Sequence, residues 1–579
     1  MSSFNGTEVP DLSKRLHQAT SEINQLKEVF KVPSISFGVV HQGKVIRKQS
    51  IGYRDVDNRL NADPDTIYPI SSCTKMFTAA GIALLVDEGK LQWQGQVSKN
   101  LPEFNPQGNP AIALESDLID LLRHSNGMPD ATMLTVGPRG CHLHDCGIKG
   151  LIPLFNQLPT ANADGQRFNR HWTYSNMNFI LGGEIISRVS GQTYPDFIRS
   201  HILSPLGMTR TVLTKADIPD DNVACQYTLL RDGTLKQLPP NHWPFDKSRP
   251  DIPGSGMGSS LNDMLTWCMA VLSAENEESE LDSSMPERRK SPLKQMTRLR
   301  RGYWTRPPED PDKSNGAAFG MGWIRMTLPT SMVGTYSGNR YTRDPKGPWK
   351  LHLDRNNILG LDSPPREMIG HTGGAIGGIA TVWTFPETQS AVCVLVNGRS
   401  LGDASDFAAQ ALIQALFDLK PQVDLLSWAR KEAELSANSL TNDLLTLWKA
   451  NRREADRERD PERYVGEYKG FNDLFTLSVG TSPASTPDQE CDSRLTLTFN
   501  NVDRTTCELV FYKQDTYSVF TGDLDLWMAE WFHYRDYRQT LLEFELDDAG
   551  LVLGLWWMWD TDEERAWFRR GDGGRAVLN

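Results

Sequence analysis

The stretch "YPISSCTKMFTAAGIALLVDEGK", Tyr68 to Lys90, sets a serine, two spacers and a lysine at the head of an apolar run, just after a proline. Two roles compete for Ser72. A serine at the start of a helix commonly caps it, its hydroxyl accepting an orphan backbone N–H. A lysine three residues later shares that helix face, so Lys75 is also placed to manage the proton of a nucleophilic Ser72. The motif alone favours the cap, because the same pattern recurs at "SPLK", Ser291 to Lys294, where it reads as a cap followed by proline. From Met76 to Asp87 the apolar residues run too continuously for an exposed helix, and Gly89 stands where a left-handed C-terminal cap is needed. The run therefore predicts a buried helix.

Outward from this stretch, residues 13 to 30 read as an amphipathic helix. "SISFGVVHQGKVIRKQSIGY", Ser34 to Tyr53, reads as two strands joined by a turn at His41 to Gly43. "IATVWTFPETQSAVCVLVNG", Ile379 to Gly398, repeats that design with a turn at Pro386 to Gln389, and a long helix follows in "DASDFAAQALIQALFDL". An early and a late hairpin with helices between them predict one antiparallel sheet whose strands come from both ends of the domain. The middle, about 100 to 275, reads as mostly helical, with a capping box at Ser260 and Asp263. A charged helix is expected from about Asp424 to Arg459. Beyond it, the alternation of Leu495, Leu497 and Phe499 and a dense tryptophan supply predict an antiparallel sheet or barrel. The expected domains are 1–420, a helical linker 421–460, and a barrel 461–579.

A chain of 579 residues exceeds what one core fills, so two to four domains are expected. A net charge of −12 argues against nucleic acid and anionic membrane as partners. The N-terminus has no apolar core of signal-peptide length, and no stretch approaches the roughly 18 apolar residues of a membrane helix. An intracellular, cytoplasmic location is the expectation. Eight scattered cysteines read as free thiols. "CHLHDC", Cys141 to Cys146, is spaced too tightly for tetrahedral zinc and reads as an ordinary loop, so no metal or other cofactor is expected. Residues 281 to 315 are proline-rich and basic, and read as a solvated surface loop. A second reading has Arg288, Arg289, Lys290, Arg300 and Arg301 attracting an anionic substrate or a phosphate-bearing carrier.

Two further segments change the balance at Ser72. "WTYSNMNF" supplies Tyr174, Ser175 and Asn176, while "GHTGGAIGG" supplies His371, Thr372, Gly373 and Gly374 just before an expected strand. Glycines there allow close backbone approach and leave N–H groups for an oxyanion. In this order the three segments resemble the serine β-lactamase and penicillin-recognising superfamily, in its branch near class C β-lactamases, D-peptidases and esterases. "LLRHSNGMPD" (Leu121 to Asp130), "LGGEIISRVSGQTYPDFIRSHILSPLGM" and "FGMGW" (Phe319 to Trp323) are similar to further motifs of that branch, so the likeness covers about residues 15 to 415. "YVGEY" resembles the opening of the lipocalin-like barrel appended to some members, whose expected role is structural.

The resemblance implies an α+β fold, an antiparallel sheet flanked by helices beside a helical lobe, with the site in the crevice between them. It implies Ser72 as nucleophile, Lys75 and Tyr174 sharing the general-base role, and the N–H groups of Ser72 and Gly374 as oxyanion hole. Asn176, His371, Thr372, Gly373 and Trp172 would contact substrate. His371 stands where β-lactamases carry lysine, which weakens a carboxylate anchor and moves the expected substrate towards esters, lactones, thioesters or amides. The expectation is a serine hydrolase working on a small acyl substrate of the secondary-metabolite type. An acyltransferase or lactone-forming enzyme using the same acyl-serine, with an acyl carrier or an acceptor alcohol or amine, is the alternative. A slow covalent sensor and a homo-oligomer also stay open. A rival nucleophile, Ser400 in "GRSLG", lacks a suitable histidine: only His533 follows it.

Overall fold

The computed structural model describes residues 8–162, 165–239, 243, 249–280, 291–306, 315–334, 337, 339, 358–375, 377–454, 460–482, 494–531, 536–561 and 563–571. The chain divides into two compact units: 1–95, 117–123 and 178–437 form the first, and 96–116, 124–177 and 438–579 the second. Arg288, Arg289, Lys290 and His533 lie outside the described residues.

The first unit is built on a nine-stranded antiparallel sheet. Helix α1 (Glu8–Phe30) leads into β1 (Ser34–His41), β2 (Lys44–Asp55) and the short β3 (Leu60–Asn61); α2 spans Thr74–Asp87. After α3 (Asn176–Ser190) and α4 (Leu261–Glu280) come β4 (Trp304–Arg306), β5 (Ala317–Phe319), β6 (Ile324–Leu328), β7 (Arg366–Ala375), β8 (Gly378–Phe385), β9 (Ser390–Val396), α5 (Ala404–Phe417) and α6 (Leu425–Ser439). The strand order is β4-β5-β6-β7-β8-β9-β1-β2-β3. Late β9 pairs with early β1, Ile35 opposite Val396 and Val40 opposite Ala391, as the two hairpins predicted.

Strand alternation sorts the two faces of this sheet. Gly38 and Cys393 are register partners, and a side chain at Gly38 would strike Leu265 of α4. Phe37 and Val394 pair one position along, in register with Thr381, whose hydroxyl bonds to Ser405 of α5 at 2.8 Å. Helices α4 and α5 therefore cover opposite faces. Helix α1 packs on α5, with Arg15 Nε donating to the Ala415 carbonyl at 2.8 Å. Both faces are covered, which explains why β8 and β9 are buried along their whole length.

In the second unit, strands β10 (Gly466–Gly470), β11 (Phe475–Ser482), β12 (Arg494–Phe499), β13 (Cys507–Lys513), β14 (Thr516–Ser518), β15 (Leu541–Leu546), β16 (Val552–Trp557) and β17 (Ala566–Arg570) close into a barrel. Leu495, Leu497 and Phe499 are buried, and aromatic rings pack closely here: Phe475 lies within 6.4 Å of Phe499, Trp557 and Phe568. The segment 138–146 packs against this barrel. His144 meets the Phe475 ring edge-on at 5.6 Å, Asn500 Nδ2 donates to the Leu143 carbonyl at 3.0 Å, and Arg139 pairs with Glu530 at 3.3 Å.

Several expectations are corrected. The middle of the chain is less helical than its pattern suggested: from Leu101 to Ser175 the longest helix is the nine-residue Gly147–Phe155. "HTGGA" stands just ahead of β8 and is itself the end of β7, and "FGMGW" forms the β5–β6 turn. Helix α6 continues through a π-helical stretch, Leu440–Thr446, into Leu447–Asn451 with helical backbone at both junctions, so the expected charged helix is present but ends at Asn451. Ser291 does not cap a helix with its neighbours: the helix Met296–Leu299 is capped by the Glu278 carboxylate, which accepts from Met296 and Thr297 N–H at 2.9 Å. Arg300 is not a surface cation. It is fully buried, over the Trp323 ring, with Glu275 at 3.4 Å and Thr384 Oγ1 at 2.6 Å.

Candidate active site

Ser72 sits in a 3-10 turn, Ser71–Cys73, that runs straight into α2. Neither Ile70 nor Cys73 caps a helix with its side chain, and Ser71 adopts φ +46°, a left-handed conformation that is strained for a residue with a Cβ. The turn leaves Ser72 half-buried between buried Ser71 and Cys73. Its Oγ accepts a hydrogen bond from Lys75 Nζ at 3.1 Å, one turn along. The hydroxyl thus faces the Lys75 amine, and α2 has no side-chain cap at Cys73.

Lys75 is fully buried, and its Nζ also donates to the Gly254 carbonyl at 2.7 Å and lies 5.5 Å from the Phe179 ring centroid. Thr78 Oγ1 donates to the Pro253 carbonyl at 2.7 Å, and Met257 N–H donates to Thr74 Oγ1 at 3.1 Å. The segment 251–257 is thus laced along α2, and it delivers the carbonyl that fixes the lysine. Sequence reasoning missed Gly254. Its one signal was a Pro-Gly-Ser-Gly run ahead of the α4 capping residues.

Strand β7 closes the other side of the turn. Its pairing with β6 ends at Gly370, so His371 to Ala375 continue past the end of that neighbour. A Cβ at Gly373 would lie 2.1 Å from the Ile70 carbonyl oxygen and 3.2 Å from Ser72 N, so only glycine allows this approach. Gly374 is exposed, with open space where a Cβ would stand. Cys73 is buried, and its thiol donates to the His371 carbonyl at 3.5 Å, tying turn to strand; burial pushes that thiol well above its ordinary pKa, leaving it inert. His371 is buried with Nδ1 2.5 Å from the Thr372 carbonyl, and burial together with the Lys75 charge lowers its pKa to about 3. Its imidazole is neutral at pH 7, donating from Nδ1. Thr372 is buried beside it.

Trp172, Tyr174 and Asn176 come together in the second unit. Tyr174 stacks on His124 with centroids 4.6 Å apart, and Trp172 meets the same imidazole edge-on at 5.8 Å. The Ser175 N–H donates to His124 Nδ1 at 3.1 Å, which makes Nδ1 an acceptor and sets the tautomer protonated at Nε2. Ser175 Oγ donates to the Pro129 carbonyl at 2.9 Å. Asn176 donates from its N–H to Asp130 Oδ1 at 3.1 Å and from Nδ2 to Thr132 Oγ1 at 3.0 Å. A carboxylate thereby sits at the first turn of α3. His124 and Asp130 were read only as part of a matching loop, with no role of their own.

The rival features resolve differently. Ser400 Oγ donates to the Lys31 carbonyl at 3.1 Å, so it is engaged with backbone. In "CHLHDC", His142 Nδ1 lies 2.8 Å from the His144 carbonyl and His144 Nε2 is 2.7 Å from the Leu134 carbonyl. Among the described residues no group of three or more His, Cys, Asp or Glu is placed to hold a metal ion, and no helix is long and apolar enough to cross a membrane.

The chain is 32% identical over 242 residues to Protein flp of Staphylococcus aureus (strain MW2), covering 41% of this chain and 45% of that protein. It is 26% identical over 256 residues to the Unguisins hydrolase ungD' of Aspergillus campestris (strain IBT 28561), covering 43% of this chain and 46% of that protein. The aligned part spans about half the length of these curated relatives. The octameric penicillin-binding protein homologue from Pyrococcus abyssi superposes with a TM-score of 0.51 at 20% identity, over 96% of this chain and 100% of that one, a likeness of fold. The family model "Beta-lactamase" matches residues 22–416, covering the serine turn, the tyrosine loop and the glycine strand together. The chain belongs to the beta-lactamase family.

Proposed function

We propose that this protein is a serine hydrolase that acylates Ser72 and releases the acyl group to water. The observation carrying the reading is the half-buried Ser72 hydroxyl held 3.1 Å from the buried amine of Lys75. In the acylation step Oγ attacks the substrate carbonyl as its proton passes to Lys75 or Tyr174. The resulting oxyanion is held by the N–H groups of Ser72 and Gly374, and collapse expels the leaving group with a proton. Water then attacks the acyl-serine as its proton passes to the same base, and collapse breaks the bond to Oγ, which takes that proton to restore Ser72 as the acid leaves. Asn176, Trp172 and Thr372 are assigned to substrate contact.

The substrate proposed is an uncharged ester, lactone, thioester or amide of a small molecule. Neutral His371 supports this, because β7 carries no imidazolium there to anchor a penicillin-type carboxylate. The fungal relative named as a hydrolase supports water as acceptor. An acceptor alcohol or amine, or an acyl carrier as donor, belongs to the same chemistry at the second step.

The test is fluorophosphonate labelling and p-nitrophenyl ester turnover in the wild type, Ser72→Ala and Ser400→Ala. Loss of both signals in Ser72→Ala alone is expected. Labelling that survives there and vanishes in Ser400→Ala would move the nucleophile. Intact mass after incubation with an acyl donor, with and without an added alcohol or amine, separates hydrolysis from transfer.

A further inference from the structure

Within the second unit, Arg167 Nη1 lies 2.5 Å from Glu563 Oε1, and both side chains are nearly inaccessible, 5% and 4% exposed. Glu563 belongs to the connection between barrel strands β16 and β17. Arg167 opens the segment that ends in the tyrosine motif. Its N–H donates to the Thr160 carbonyl at 3.1 Å, and its own carbonyl accepts from Arg170 and His171 N–H at 2.9 and 3.0 Å. Asn169 N–H then donates to the Ser125 carbonyl at 2.9 Å, and Thr173 N–H to the His124 carbonyl at 3.1 Å. This tight turn delivers Trp172 and Tyr174 onto the His124 ring, Trp172 edge-on and Tyr174 stacked, with their own centroids 6.2 Å apart. A buried guanidinium is tolerated only with a counter-ion, so the barrel supplies the charge that lets this turn stay closed.

We propose that Glu563 is a positioning residue: through its buried pair with Arg167, the C-terminal barrel fixes the turn that presents Trp172 and Tyr174, and so sets the acyl selectivity of the enzyme. The barrel is then part of the catalytic apparatus at one remove, rather than a passive appendage. The selectivity clause rests on the function proposed above; the positioning clause does not.

Hydrogen exchange read by mass spectrometry on the 579-residue chain tests the positioning directly, comparing wild type with Glu563→Gln. Amides of residues 167–176 are expected to exchange at least about tenfold faster in the variant, while barrel peptides keep wild-type protection. Unchanged exchange across 167–176 overturns the proposal. Should Glu563→Gln fail to fold, Glu563→Asp decides: it keeps the charge and shortens the reach, so a smaller acceleration confined to 167–176 supports the proposal, and none there overturns it. With active sites counted by fluorophosphonate, the kcat/KM ratio between two-carbon and eight-carbon p-nitrophenyl esters is expected to change at least about threefold in whichever variant folds. A loss of active fraction alone leaves that ratio fixed and would reduce Glu563 to a structural residue. Absence of labelling and turnover in the wild type itself counts against the function proposed above, while the exchange data still decide the positioning.

Discussion

Lys75 Nζ stands 3.1 Å from Ser72 Oγ and also donates to the Gly254 carbonyl at 2.7 Å, so the amine is held at the hydroxyl by the same backbone segment that Thr74 and Thr78 lace along α2. Replacing Lys75 by Met keeps the aliphatic stem and removes the proton acceptor. A fall in kcat/KM for p-nitrophenyl esters of about 10²–10⁴, typical of losing a general base, is expected, with folding retained. Lys75→Arg should fail equally, since a guanidinium does not deprotonate. Wild-type rates in either variant would remove lysine from the mechanism.

Gly373 and Gly374 are adjacent, but they should respond oppositely to a methyl group. At Gly373 the added Cβ collides with the Ile70 carbonyl and must push β7 off the Ser72 turn; at Gly374 it meets nothing. Gly373→Ala is expected to cost about 1–3 kcal/mol in urea unfolding and most of the activity. Gly374→Ala should stay within about 0.5 kcal/mol of wild type in stability, so any rate change there reports on the oxyanion position itself. Equal stability losses would mean that the close approach at Gly373 is not maintained in solution.

Tyr174→Phe keeps the ring that stacks on His124 and deletes only the phenol. If the phenol shares the base role, the burst of p-nitrophenol that reports acylation should slow by about a hundredfold or more, with the melting temperature unchanged. A burst at the wild-type rate would leave Lys75 as sole base.

Much of this was legible before any coordinates. The continuous apolar, β-branched runs of β1, β8 and β9 carried the central sheet, because strands buried on both faces concentrate such residues between turn signals. The motifs also carried Ser72, Lys75 and Tyr174 as candidates. What stayed hidden was held by contacts of high sequence separation. Arg300 read as one more cation in a basic loop, and only Glu275 and the Trp323 face explain its burial. Gly254 contributes a carbonyl, which every residue has, so no residue type marked it. The lobe read as helical because apolar spacing cannot report that its backbone is bound by side chains such as Asp130 and Asn156 instead of by helix hydrogen bonds.

The histidine that replaces lysine in the third motif gives a prediction of opposite sense to a simple restoration. His371→Lys would bury an ammonium close to Lys75, where burial, and after it Lys75, already lowers the imidazole pKa to about 3. The expected result is a folded-state stability loss of about 3 kcal/mol or more, the cost of an uncompensated buried charge, with no gain of penicillin hydrolysis. A stable variant that hydrolyses nitrocefin would show that the site tolerates a cation there.

His144 ties the "CHLHDC" segment to the barrel and should make the second unit sensitive to acid. Its Nε2–H donates to the Leu134 carbonyl at 2.7 Å, Nδ1 accepts from Asn500 at 3.3 Å, and burial lowers its pKa from 6.5 to about 4. A lowered folded-state pKa means that the unfolded chain binds the extra proton first as pH falls. The stabilisation is complete above about pH 6.5, declines through the window between 6.5 and 4, and is gone below it. Its ceiling is about 3 kcal/mol, the free-energy equivalent of that displacement for one group. Two charged pairs face the same contact, Arg504 with Asp145 and Arg139 with Glu530. Protonation of Asp145 enters only at lower pH, because Arg504 holds it below the ordinary carboxylate range. Urea unfolding of wild type and His144→Gln, followed by tryptophan fluorescence from pH 8 to 4, isolates the histidine term. The wild type should lose stability between pH 6.5 and 4 with a slope that the glutamine variant lacks, and parallel curves would show that His144 titrates normally and does not bind the segment to the barrel.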